Sequence, residues 1–285
     1  TMAKFFEQDK QPERILRDLS IHFQKDIDIT QDLLILDEIQ ECPQALTSLK
    51  YFCDKYQNGF VCCAGSLLGL GLNTESFPVG KVTMLAMYPL TFFEFLQALG
   101  EERLADYLRN TTGNDLPSEP QHIKTWTLLK YYFITGGLPE VVSTFVSNYQ
   151  NINQAFANVR ALQKELINEY LQDIAKHSGK EKAVHIESVF QNIPIQLARE
   201  SKGVNKFVFK DVLPSNSKYS YLEGPISWLT KARLVHKVNI CNKASEPLMA
   251  YADERRFKLY LFDVGMLGAM TQLAPETIMA YDYGS

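Results

Sequence analysis

A chain of 285 residues, 46% hydrophobic and 22% charged, has room for about two domains and an ordinary globular interior, which excludes a disordered tail protein. No run approaches the roughly 18 apolar residues of a membrane span, and the N-terminus lacks a secretory apolar region. The formal charge of −4 is uneven: residues 1–175 hold 14 Lys and Arg against 22 Asp and Glu, whereas residues 176–258 hold 15 against 8.

Pro12 opens a predicted helix with Ile15, Leu19 and Phe23 on one apolar face. Leu33-Leu34-Ile35-Leu36 follows, four apolar residues in a row, the pattern of a strand buried on both faces of a parallel sheet. Pro43 starts a second helix, with Leu46, Leu49, Phe52, Cys53 and Tyr56 on one side. Phe60-Val61-Cys62-Cys63-Ala64 is then a second buried strand, which makes a βαβ crossover. A third apolar run, Val82–Met87, precedes Pro89 and a helix from Thr91. Residues 110–120 have loop composition and suggest a boundary. From Ile123 to about Lys176 the pattern is helical, broken at Gly136-Gly137-Leu138-Pro139. Helix at Ile186–Ala198, a short strand at Phe207-Val208-Phe209, a helix around Pro225 and strands at Leu234–Val238 and Arg256–Leu261 form the order of a winged helix-turn-helix. The fold class expected is therefore α/β with a parallel sheet, followed by helices and a winged helix-turn-helix domain. Its divisions fall at 1–115, 116–180, 181–270 and 271–285.

Asp37 and Glu38 are the most informative residues. They end an apolar strand, where open α/β sheets place ligands. Adjacent carboxylates there suit a division of labour in which the first holds Mg²⁺ and the second polarises the water attacking a γ-phosphate. The alternative is an acidic pair that merely ends a strand. Ser66, at the end of the next strand, suits a sensor of the attacking water or of phosphate, or else caps a tight turn. Gly80-Lys81 and Gly179-Lys180 lack the glycine five positions earlier, so no G-x-x-x-x-G-K-[ST] occurs in these residues. H-E-x-x-H and G-x-S-x-G are absent as well, and the five cysteines, Cys42, Cys53, Cys62, Cys63 and Cys241, form no C-x-x-C pair, which argues for a reducing, cytoplasmic setting. Cys62 and Cys63 are expected as packed thiols. Lys231, Arg233, His236 and Lys237 follow the presumed recognition helix, and Lys243, Arg255, Arg256 and Lys258 decorate the presumed wing, a surface suited either to DNA phosphates or to another protein.

The run Leu33–Pro43 (LLILDEIQECP), with Ala64–Gly69 (AGSLLG), Ser76–Val82 (SFPVGKV), Tyr88–Leu96 (YPLTFFEFL), Gly136–Glu140 (GGLPE) and Lys258–Leu267 (KLYLFDVGML), resembles the prokaryotic AAA-type P-loop ATPases that carry an uncharacterised nuclease-like C-terminal domain. That resemblance implies that the sheet is a partial P-loop NTPase parallel sheet and that the helices after it form an α-helical lid. It implies Asp37 as the Walker B magnesium carboxylate, Glu38 as catalytic base, Ser66 as a sensor-like residue and Lys81 as a basic residue near phosphate. It also implies ATP and Mg²⁺ in the intact protein. Since the family's Walker A loop lies upstream and its last domain beyond Ser285, the chain is expected to be an internal piece, inactive and binding neither ATP nor Mg²⁺ alone. A reading of another class is a non-enzymatic DNA- or protein-binding module on an α/β scaffold. Neither reading needs a membrane.

Overall fold

The computed structural model describes residues 2–65, 78, 80–113, 117–199, 206–210, 212, 213 and 219–281. They divide into two units, Thr1–Ala86 and Met87–Ser285.

In the first unit a short 3-10 turn (Met2–Phe6) precedes α1 (Pro12–Phe23), β1 (Leu33–Leu36), a second 3-10 turn (Ile39–Glu41), α2 (Pro43–Lys55) and β2 (Phe60–Cys63). Pro12 and Pro43 each sit in the first helical turn, where a fixed φ is pre-set and the missing N–H costs nothing. The strands run parallel, with Leu33 opposite Phe60 and Leu36 opposite Cys63, so β1, α2 and β2 form the expected crossover. Ile15, Leu19, Ile29, Ile39, Leu49 and Phe52 make the core, against which Leu34, Leu36, Val61 and Cys63 pack. Each such side chain removed from water contributes about 1.5–3 kcal/mol.

Burial on both faces of the sheet is not what the structure has. Leu33, Ile35 and Phe60 are 58%, 60% and 55% exposed, and Cys62 is exposed too. The described core covers only the face that carries Leu34, Leu36, Val61 and Cys63, so an all-apolar run is half wet. Of the two thiols expected to be packed only Cys63 is half-buried, and burial pushes it up to about 11. Phe23 is likewise exposed, because α1 ends there and Gln24 turns left-handed.

In the second unit seven helices come first among the described residues: α3 (Phe92–Ala98), α4 (Glu102–Asn110), α5 (Glu119–Thr135), α6 (Pro139–Ser147), α7 (Ile152–Ser178), α8 (Lys180–Arg199) and α9 (Tyr219–Lys231). The strands β3 (Val235–Cys241) and β4 (Ala252–Leu261) follow, then α10 (Val264–Met270) and α11 (Pro275–Ala280). A capping box between Thr91 and Glu94 starts α3. Phe95, Ile134, Val141, Phe145, Phe156 and Val159 form one core, which Ile278 of α11 joins. Leu96, Ala105 and Leu128 form a smaller one. Residues 92–110 thus pack with the helices that follow them.

β3 and β4 form an antiparallel hairpin from Val235 opposite Leu261 to Asn239 opposite Phe257. The register then jumps to Ile240 opposite Asp253, which leaves residues 254–256 as a bulge. Phe207-Val208-Phe209 is not a strand: its tie to the hairpin is one bond, Phe207 N–H to the Phe257 carbonyl at 2.7 Å. Phe207, Phe209 and Tyr219 instead cluster around the Phe257 ring, so their apolar area is used in aromatic packing rather than in a ladder.

Candidate functional site

Asp37 and Glu38 protrude from a turn fixed on both sides. Before it, the Leu36 carbonyl accepts from Ala64 N–H at 3.0 Å; after it, Ile39 N–H donates to the Ala64 carbonyl at 3.1 Å, and the Ile39 side chain is buried in the core. Both carboxylates are exposed among the described residues. Asp37 Oδ1 accepts the Glu38 N–H at 3.0 Å, and the Gln40 side-chain amide donates to the Glu38 carboxylate. Glu38 holds φ 48° and ψ 43°, the left-handed region that a glutamate enters at a cost of about 1–3 kcal/mol. Such strain persists only where the surrounding chain enforces it, and here the anchors at Leu36 and Ile39 do so.

The other site residues stand differently. Ser66 lies outside the described residues. Lys81 pairs with Asp54 of α2 at 2.5 Å, and that carboxylate raises its ammonium above the ordinary range. Among the described residues no hydrogen bond or ion pair joins Lys81 to Asp37 or Glu38. The Lys81–Asp54 pair lies beside an apolar cleft of about 420 Å³ between α2, β2 and residues 81–85, lined by Leu49, Phe52, Val61 and Met84.

The basic residues of the second unit are dispersed. Arg233, at φ 60°, turns the chain from α9 into β3 and lies 5.8 Å from the Tyr88 ring. Lys237 shares the packed side of β3 with Val235 and sits 4.4 Å from the Phe257 ring. Arg255 and Arg256 project from the bulge of β4, Lys231 ends α9, and all three are exposed. None of these five forms a salt bridge among the described residues.

Sequence reasoning passed over a buried acid that ties together two segments far apart in the chain. Asp263 is 5% exposed and caps α10 by accepting the Met266 N–H at 2.9 Å. Its other oxygen accepts the Gly137 N–H at 2.7 Å, across 126 residues of chain. Burial raises its carboxyl above the ordinary value, against the pull of the backbone N–H groups it accepts. Gly136 turns the chain at φ 75°, and a Cβ on Gly137 would meet the Leu90 carbonyl oxygen at 2.1 Å. Gln163, fully buried, donates to the carbonyls of Ile134 and Thr135, while Arg160 reaches Gln163 Oε1 at 2.6 Å and the Gly265 carbonyl at 3.0 Å. Two local signals were readable: a Gly-Gly break before a proline, and an Asp just ahead of an apolar helix.

The α/β unit with paired carboxylates after its first strand is similar to AAA-type ATPases: residues 3–96 match the AAA domain, which implies nucleotide and Mg²⁺ use in intact proteins of that type. Residues 127–277, more than half of the chain, match the domain of unknown function DUF8612, and the chain belongs to that family. The resemblance to nuclease-bearing ATPases is thus supported in its AAA part, while the second match carries no assigned function. No curated protein matches the chain. No helix among the described residues is long and apolar enough to cross a membrane.

Proposed function

We propose that the chain is the part of an AAA-type ATP-hydrolysing protein that supplies its acidic residues, with Asp37 as the Mg²⁺ carboxylate and Glu38 as the base for the attacking water. The observation that carries this reading is the pair of exposed carboxylates on a backbone-locked turn at the end of β1. Among the described residues no cluster of three or more metal-ligating side chains occurs. Mg²⁺ does not need one: one or two carboxylates suffice when phosphates and water complete its shell. Asp37 fits that demand, since among the described residues only one of its oxygens is engaged, by the Glu38 N–H. When bound, Mg²⁺ would neutralise charge on the β- and γ-phosphates. Glu38 would accept the proton of the water, with Gln40 orienting its carboxylate. Ser66 takes the sensor role and Lys81 a phosphate contact, for which it would have to leave Asp54.

In this reading the helices within 116–180 act as a lid and residues 181–270 as a winged helix, moved by the nucleotide cycle. The 285 residues hold no G-x-x-x-x-G-K-[ST], so by themselves they are expected not to turn over ATP. Glu38→Gln in the full gene product should lower ATP hydrolysis by about 10²–10⁴ while leaving nucleotide affinity within about threefold. Normal turnover by that variant would remove Glu38 from the chemistry.

The basic side chains favour a second reading, a DNA- or protein-binding module, because Lys231, Arg233, Lys237, Arg255 and Arg256 are not neutralised by ion pairs among the described residues. Duplex affinity whose logarithm falls linearly with the logarithm of salt, and that falls further on charge reversal at Lys231 and Arg233, is the expected result.

A further inference from the structure

We propose that the tip of the β3–β4 hairpin is an apolar wedge for duplex DNA, a proposal that rests on the DNA-binding reading above. The tip is built rather than loose: Asn242 N–H donates to the Tyr251 carbonyl at 3.0 Å and Ala250 N–H to the Pro247 carbonyl at 3.0 Å. These bonds hold a 3-10 turn, Leu248–Tyr251, on which Leu248 is 58% and Met249 82% exposed. Two large apolar side chains held into water at the end of an ordered ribbon, with charge around them, mark an interaction site.

Charge selects the partner. Lys243 sits 5.2 Å from the Tyr251 ring, and Arg256 contacts Asn242 across the hairpin at 3.4 Å, so both cations are held beside the tip. Three acids lie nearby: Asp253 accepts the Arg255 N–H at 2.9 Å, Glu254 adds to the burial and the Glu223 charge that raise the Tyr219 phenol, and Glu246 is exposed on the loop, so the cationic surplus is carried by Lys243, Arg255, Arg256 and Lys258 together. Residues 176–258 as a whole hold 15 basic against 8 acidic side chains, which calls for a polyanion. The basic side chains extend from Arg233 at the hairpin base to Lys243 near its tip, a length of roughly 30 Å at about 3.4 Å per residue. The apolar surface of the tip is confined to two side chains, less than the single acyl chain that gives only marginal binding to a lipid surface. Phosphates along a groove edge, with an apolar wedge entering the minor groove between base steps, match this division. Lys243 and Arg256 would then hold phosphates, with Leu248 and Met249 partly unstacking one step.

The test uses the 285-residue chain and a duplex of about 20 base pairs with 2-aminopurine at successive positions. The native chain should bind with salt-dependent affinity and raise the fluorescence at one step. Leu248→Ser with Met249→Ser, both exposed and therefore expected to fold, should bind roughly tenfold more weakly, with unchanged salt slope and no fluorescence rise. Lys243→Ala with Arg256→Ala should reduce the salt slope by about 2. A serine variant with native affinity and native fluorescence change would overturn the wedge but leave DNA binding standing. Failure of the native chain to bind duplex, or preference for phosphatidylserine vesicles over duplex, would overturn both.

Discussion

Asp37–Glu38 and Asp263 are opposite solutions to placing a carboxylate. The first pair sits on an exposed turn, its side chains bonded among the described residues only to the neighbouring Glu38 N–H and Gln40, with one residue in a left-handed conformation. Asp263 is buried, bonded to groups from two distant segments, and lies in a joint where Gly137 has no room for a side chain. The difference separates acids kept available for a ligand from an acid consumed in holding backbone together. Strain tolerated at the first site and connectivity at the second should therefore respond oppositely to substitution.

The largest loss is expected for Gly137→Ala. Its Cβ would meet the carbonyl oxygen of Leu90 at 2.1 Å, a main-chain atom that cannot swing aside, and Leu90 N–H also donates to the Gly137 carbonyl at 2.7 Å. A cost of about 4 kcal/mol or more follows. Both tryptophans, Trp126 and Trp228, lie in the second unit, so a urea melt followed by their fluorescence reads that unit alone. Unchanged stability would mean that the joint is loose.

Next comes Asp263→Ala, which leaves the Gly137 and Met266 N–H groups without their acceptor and should cost about 3 kcal/mol in the same melt. Asp263→Asn keeps an acceptor for Met266 but places its own amide donor against Gly137 N–H, so about half that loss is expected. Equal losses for the two variants would show that the contact between segments is not what matters.

How far each site was legible follows from the same contrast. β1, the crossover and the position of Asp37-Glu38 could be read because Leu33–Leu36, Pro43 and Phe60–Cys63 act through local pattern. That Leu33 and Ile35 are exposed could not, since burial depends on how many layers cover a sheet. Nor does local sequence announce the left-handed Glu38, a residue type that rarely adopts it; the anchors at Leu36 and Ile39 impose it. Gly136-Gly137 and Asp263 were visible only as a helix break and a helix start. Their bond spans 126 residues, and no periodicity reports a contact of that range.

At the exposed site the expected effect is smaller and of opposite sign. Glu38→Gly removes a side chain with no buried contact and relieves φ 48°, so the first unit should gain about 0.5–1 kcal/mol in a far-UV circular dichroism melt. The same change should abolish ATP hydrolysis in the full gene product if Glu38 is the base. A gain in stability with intact hydrolysis would reduce the turn to a structural feature.

The weakest effect distinguishes the two units by acid response. In the first unit Arg14 holds Asp9, Lys55 holds Glu13, Thr30 holds Asp28 and the Asp28 N–H holds Asp32 below their ordinary values. Lowered carboxyls stabilise once ionised, so that contribution is present above the ordinary carboxylate range and lost as pH falls through the folded values. These groups are exposed, and salt should shrink the effect. Asp263 has the reverse sign: its folded value is raised from 3.8, the native state binds the proton more tightly, and its contribution falls as pH rises from about 3.8 upward. Acidification from neutral pH should therefore weaken the first unit; in the second, where the Thr91 N–H holds Glu94 below its ordinary value and acts in the other direction, it should relieve the cost at Asp263, and Asp263→Asn should remove that relief from the tryptophan-monitored melt. An identical pH profile in Asp263→Asn and the native chain would mean that the buried carboxyl titrates as it does in the unfolded chain, and the contrast between the two acidic sites would then be one of geometry alone.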